Sequence, residues 1–394
     1  MLPLIPAAIL MAAPPAQETP RPLATVCDEA VARFKAGSLD EGMKLLDEAQ
    51  KAHPRSAKPH WMRAQVHLAI AGRAKGHAAA WYRRLADDEL ETVYWNPDST
   101  RDEKANVQVL LDEVHGADYP DVSTKDPEAI KAFQEAETHY GAREFPKARA
   151  AYARALERDP GFILAMLYIG DTYHANIGDP EAMAWYRKAA EARPTYPKAW
   201  RFLSDACIEA GQPEKAEEAL MAGLAGHPGN RLLWLKLAGL RDQMRRPMKK
   251  LDFAPPLVPD WNAKGQLTLA ATHAFVGFEG QTIWPVLLAG ILGGATVEVK
   301  DPAKGAPPMD TPFQKELLFW TLAMETLQKH VEETHEQPQD RFLAQFLRFK
   351  QDGKLEAAVL LLRYQEAFRP DLEAWKKAHP GALQAFIREY GYRP

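Results

Sequence analysis

Small and apolar residues return along the middle of this chain at a fixed interval. Pro160, Pro194 and Pro228 stand 34 residues apart, and so do Ala148, Ala182 and Ala216. Tyr152, Tyr186 and Leu220 keep the same 34-residue step, as do Ala155, Ala189 and Gly223. Within one interval the apolar positions follow helical spacing twice: Met166, Ile169, Gly170 and Tyr173, then Ala182, Tyr186 and Ala189. Each interval therefore predicts two helices and a turn, and intervals in phase predict stacked helical hairpins. The punctuation agrees. Asp179 and Pro180 have the chemistry of an N-cap and a first helical residue, Gly211 and Pro213 mark the same turn one interval later, and the unit-end prolines stop the second helix. Ala136 and Gly170 are small enough to let the two helices of a hairpin approach closely, and Ala148, Ala182 and Ala216 do the same between neighbouring units.

These residues resemble the tetratricopeptide repeat. The resemblance implies an all-α fold, a right-handed α-solenoid, here with a helical C-terminal extension. It is clear over about 129–244, where the unit before the best one carries Ala132, Ala136, His139, Ala148, Tyr152 and Pro160, and the unit after it carries Trp200, Leu203, Ala216 and Pro228. Ser204 and Cys207 depart from the pattern in that last unit. Trp234, Leu237 and Ala238 then fit a lone first helix, as in a capping helix. The basic residues that follow, Arg241, Arg245, Arg246, Lys249 and Lys250, suit a helix C-terminus and a soluble cap, or a docking patch. Upstream, Ala30, Leu46, Ala49 and Pro54 fit one more unit over 23–56, and Trp61 and Ala64 mark a decayed one. A helix is expected near Glu103 to Val114, between linkers at Asn96 to Thr100 and Asp118 to Asp126. The expected organisation is a leader and Pro-rich tail over 1–22, diverged hairpins and linker over 23–128, the array with its cap over 129–250, and a mainly helical region over 251–394.

The resemblance also implies that first helices line a concave groove where peptide ligands lie. The groove positions are then Phe133, Glu137 and Tyr140; Leu167, Asp171 and His174; Arg201, Asp205 and Glu209. Glu137, Asp171 and Asp205 form one acidic column with a 34-residue step. The lysine and asparagine set with which some members grip a C-terminal carboxylate is absent, which speaks against a receptor for chaperone tails. The column suits a basic or hydroxyl-rich segment. Like charges on helices 8–10 Å apart repel by only roughly 0.4 kcal/mol in water, so the same column is also a cheap solvated face.

Beyond Leu251 the period is lost. Pro255, Pro256 and Pro259 lead into an apolar stretch over 265–297, which Pro285, Gly290, Gly293 and Gly294 interrupt, so buried packing is expected rather than a span of about 20 residues. Helices are expected over Phe313 to Glu333, Asp340 to Gln351, Leu355 to Phe368 and from Asp371. Gly353 to Ala358, with Leu362 and Pro370, echoes the second half of a repeat, although Phe342, Phe346 and Phe349 do not match its first-helix columns.

Charge and composition remove whole classes of function. With 49 basic against 53 acidic residues, no overall field draws the chain to nucleic acid. Two cysteines exclude a disulfide scaffold and a cysteine-built zinc module, and Cys27 and Cys207 lie too far apart in a solenoid to pair. The chain has only five serines, and neither serine nor cysteine follows Cys207, so the non-repeat region holds no Ser–His or Cys–His nucleophile. A phosphate-cradling loop and a dinucleotide fingerprint are absent. His330 and His335 flank Glu332 and Glu333 at a five-residue step, which turns the imidazoles to different helix faces, whereas a zinc pair needs four. No cofactor or metal is expected, and His273 reads as a core histidine.

The expected function is a non-catalytic scaffold that binds a protein or peptide segment, basic in character, in the groove. The alternatives are an unrecognised enzyme using His273 or carboxylates of the C-terminal region, and a peripheral membrane adaptor attached through 265–297. Met1 to Gln17 carry no charged side chain, and the apolar run Leu2 to Ala13 has the length of a secretory leader, which suggests a periplasmic or secreted protein. The lack of Lys or Arg before that run, with Pro3 and Pro6 inside it, counts against a leader and leaves a cytoplasmic chain with a Pro-rich tail as the alternative.

Overall fold

The structure is a computed structural model that describes residues 21–74, 76–115, 120–174, 178–251, 257–261, 267–271 and 310–394. The leader, His273 and most of the apolar stretch over 265–297 fall outside these residues. The chain divides into two compact units, with the division between Val114 and His115.

The first unit holds α1 (Leu23–Lys35), α2 (Leu39–Ala52), α3 (Lys58–Ala71), α4 (Gly76–Trp95) and α5 (Arg101–His115). α1 packs on α2 and α3 on α4 as successive hairpins. Val26, Cys27 and Ala30 bury against Leu46 and Ala49, the small and apolar positions of the upstream repeat. Arg63 is a buried cation that ties three helices together: its Nε donates to Glu89 Oε1 at 2.8 Å and its Nη1 to Asp47 Oδ1 at 3.3 Å. A guanidinium removed from water persists only with such partners. Thr100 and Glu103 open α5 as a reciprocal capping box.

The second unit begins with α6 (Pro127–Gly141), α7 (Phe145–Arg158), α8 (Ile163–Tyr173), α9 (Pro180–Ala192), α10 (Pro197–Glu209), α11 (Pro213–Gly226) and α12 (Arg231–Gln243). Each packs on the next, from α6 through to α12. Asp126 and Asp179 accept the first free amides of α6 and α9, each with proline next in sequence. The turns that end α6, α10 and α12 share one hydrogen-bond pattern. Glu144 N donates to His139 O at 2.9 Å, Gln212 N to Cys207 O at 2.8 Å and Arg246 N to Arg241 O at 2.7 Å. The pattern requires one left-handed residue, supplied by Arg143 (φ 59°), Gly211 (φ 69°) and Arg245 (φ 58°).

The small-residue columns sit where close approach demands them. Ala136, Ala148, Ala182 and Ala216 are buried. A Cβ on Gly170 would lie 2.5 Å from Cε1 of Tyr186, so α8 can meet α9 at this distance only through glycine. The proline column does more than end helices. The carbonyls of Pro194 and Pro228 accept the indole N–H of Trp200 (2.9 Å) and Trp234 (2.7 Å), fixing where each following first helix starts.

After α12 come β1 (Lys249–Lys250) and an antiparallel pair, β2 (Leu257–Trp261) with β3 (Leu267–Ala271). These short strands sit within the mainly helical region expected over 251–394. Then follow α13 (Pro312–Thr334), α14 (Arg341–Gln351), α15 (Leu355–Leu362), α16 (Arg369–Ala378), α17 (Ala382–Tyr390) and β4 (Tyr392–Arg393), which pairs in parallel with β1. The helix expected to reach Phe368 stops at Leu362 and resumes as a single 3₁₀ turn, Glu366–Phe368, because Arg363 leaves helical geometry (φ −117°, ψ 13°). α14 and α15 close with the array's own turn, Lys354 N to Phe349 O at 2.7 Å, so the echo seen at Gly353 is a helical hairpin. Its packing is aromatic: Phe319, Trp320, Phe346, Phe349 and Phe386 join Leu233, Trp234 and Leu237 of α12 in one continuous core.

Candidate functional site

The first helices α6, α8 and α10 carry eight of the nine predicted groove residues at or near the surface. Leu167 is the exception and a correction: it is 2% exposed, within the core beside Met166 and Ile163. The residue that reaches the surface from that turn is Tyr168. Its ring lies 5.6 Å from Phe133, 6.0 Å from Tyr152 and 6.5 Å from Tyr140, so four rings from three helices form one patch. A signal for it existed, since Tyr168 and Phe202 are themselves one 34-residue step apart. The aromatic column runs one place after the Leu167–Arg201 column. Phe202 stands 5.5 Å from Tyr186, and the Arg201 guanidinium lies 5.2 Å over the Phe202 ring.

The acidic column is not a bare stripe. Glu137 is exposed and accepts the Tyr152 hydroxyl through Oε1. Asp171 accepts the Tyr186 hydroxyl through Oδ1 at 2.6 Å. Each tyrosine comes from the second helix of the same unit, 15 residues on. In the third unit Leu220 replaces the tyrosine, and Asp205 turns instead to Lys236 of α12, whose Nζ lies 2.7 Å from its Oδ1. His174 Nε2 and Glu209 Oε2 face each other at 3.5 Å across adjacent units.

Burial dominates the electrostatics. It pushes the Asp171 carboxyl above the usual carboxylate range, against the opposing pull of the Tyr186 hydroxyl, His174 and Lys198. Burial and then the neighbouring carboxylates push the hydroxyls of Tyr140 and Tyr168 up. Burial and the bonded carboxylate do the same, more strongly, for Tyr152 and Tyr186. All four phenols therefore stay protonated near neutrality, and Tyr152 and Tyr186 act there as donors.

Two further sequence readings meet the structure elsewhere. Arg241 of the basic cluster is 4% exposed and bonds inside the protein, so the cluster is not simply a solvated cap. Among the described residues no group of three or more His, Cys, Asp or Glu comes together in a way that could hold a metal, and no helix is long and apolar enough to cross a membrane. The thiols of Cys27 and Cys207 are buried and free.

Profiles described as tetratricopeptide repeat match residues 27–89 and 133–197, and a second profile of that description matches 178–240. No curated protein matches the chain. Among solved structures it is similar to MamA protein, with 15% identity over 52% of this chain and 91% of that one and a TM-score of 0.24. It is similar also to the TPR2AB domain of yeast Sti1, solved as a complex with pHSP90, with 16% identity, 57% and 86% coverage and a TM-score of 0.28. The TPR domain of P58(IPK) aligns with 10% identity over 91% of this chain and 99% of that one, with a TM-score of 0.27. The matched segments fall on the hairpins α1–α4 and on α6–α12, and these parts of the chain are tetratricopeptide repeats.

Proposed function

We propose that the chain is a non-catalytic interaction scaffold that holds a protein segment across the first helices α6, α8 and α10. One arrangement supports this reading above others: the patch of Phe133, Tyr140 and Tyr168 stands beside two carboxylates that tyrosines engage through only one oxygen each. Such a surface suits a basic side chain, whose apolar stem lies on the rings while its head reaches Glu137 and Asp171. Asp205 contributes little charge to a ligand because Lys236 already holds it.

A photo-crosslinking residue at Gln134, exposed on α6, tests the reading. It is expected to label one dominant protein in a native extract, and the pair Glu137→Lys with Asp171→Lys is expected to abolish the labelling. Equal labelling from Arg154, exposed on the second helix α7, overturns the assignment to the first-helix face.

A further inference from the structure

The basic cluster at the end of α12 already has a resident. Arg241 Nε donates to Glu217 Oε1 at 2.7 Å, while its Nη1 and Nη2 reach the carbonyl oxygens of Ile387 (3.0 Å) and Arg388 (3.4 Å). Arg246 takes the other Glu217 oxygen at 3.1 Å. The two carbonyls lie near the C-terminal end of α17, the negative end of its dipole, where a planar guanidinium is the favoured cation. Gly391 (φ 62°) then turns the chain so that Tyr392 and Arg393 run beside Lys249 and Lys250. Lys249 N donates to Gly391 O and Leu251 N to Arg393 O, both at 2.9 Å, and Arg231 Nη1 donates to Pro394 O at 3.1 Å.

Apolar side chains complete the fit. Leu383, Phe386 and Ile387 are each 2% exposed or less, and α17 lies on α11 and α15. The array recognises this segment mainly through its backbone, since Arg241, Arg231 and β1 all bond main-chain atoms. The join to α16 is a short turn at Gly381 (φ 75°), with nothing within 4 Å of where a Cβ would stand. The segment is thus held by contacts remote in sequence and tethered through an open turn.

We propose that the end of the array, formed by α11, α12 and β1 and flanked by the α14–α15 hairpin, is a docking site for a helix that runs into a short strand. Residues 382–394 are its resident ligand, held as a unit that can leave and rebind about the open turn at Gly381. The site is separate from the first-helix face, so either assignment can fail without the other.

The test uses the full chain and a labelled peptide spanning 380–394. Phe386→Ala with Ile387→Ala loosens the resident segment and leaves Arg241, Glu217 and β1 intact. The peptide is expected to bind this variant one to one, at least tenfold more tightly than it binds the wild type, and Arg241→Ala added to the variant is expected to abolish binding. Equal binding to wild type and variant overturns the proposal, as does no binding to a variant that melts as cooperatively as the wild type. If the variant does not fold, hydrogen exchange on the wild type decides. Amides over 385–391 exchanging at least tenfold faster than those of α11 support a segment that opens by itself, and exchange at the α11 rate overturns it.

Discussion

Two hairpins of the second unit make the same turn and pack by opposite means. In α10–α11, Gly211 (φ 69°) and the Gln212-to-Cys207 bond close the turn. In α14–α15, Gly353 (φ 67°) and the Lys354-to-Phe349 bond do so. Yet α10 and α11 bury small residues, Ala206, Ala216, Ala219 and Gly223, whereas α14 brings Phe342, Phe346 and Phe349, with the first two rings stacked at 4.1 Å. The turn is a local property of backbone and glycine. Packing is set by what lies next. A hairpin that stacks on a copy of itself must keep small residues at each 34-residue step, because the interface recurs. A hairpin that closes a core once is free of that constraint and fills space with rings. The period therefore vanishes at 251 although helical hairpins continue.

Substitutions can break or sharpen this contrast. Trp320, wholly buried among Phe319, Phe342 and Phe346, anchors the aromatic end, and Trp320→Ala is expected to cost about 3–5 kcal/mol. Because one core joins both regions, urea unfolding should show a single transition at lower midpoint for the array as well; two separate transitions would divide the regions. The array should suffer instead from added bulk. Gly170→Val drives a side chain into Tyr186 and should cost about 1–3 kcal/mol, read as a fall in melting temperature. Should the variant melt like the wild type, close approach is not what the glycine serves.

A smaller effect separates the two kinds of carboxylate in the column. The Asp171 carboxyl holds its proton more readily folded than unfolded. Its contribution to stability is full below the unfolded carboxylate value and is lost as pH rises through the raised folded value. Asp171→Asn keeps an acceptor for Tyr186 without the buried charge. It should melt higher than the wild type at pH 7, by about 1 kcal/mol in stability, with the advantage shrinking as pH falls towards the unfolded carboxylate value. A constant difference from pH 7 to 3 would count against a buried, raised carboxyl. The smallest expected change tests the shared turn. Arg143 holds the left-handed position that glycine holds at 211 and 353, so Arg143→Gly should stabilise the protein by about 0.5–1 kcal/mol in thermal unfolding.

Much of the candidate site was legible in the chain. The acidic column and the tyrosine column were both visible, and their constant 15-residue offset places Glu137 with Tyr152 and Asp171 with Tyr186 inside single hairpins. Leu167 was misplaced by one position because adjacent residues of a helix point only about 100° apart, so neighbouring columns compete for the surface. Tyr168 won that competition, and the core took Leu167.

The sequence by itself determined the repeat, its turns and caps, and the small residues between helices, because each hairpin answers mainly to itself and its neighbours. Only the tertiary structure decided that Lys236 neutralises Asp205, 31 residues away, and that Arg241 grips a helix end 146 residues further on. Those pairings have no period. They arise because burying a charge demands a partner from whichever element packs beside it, wherever that element lies in the chain.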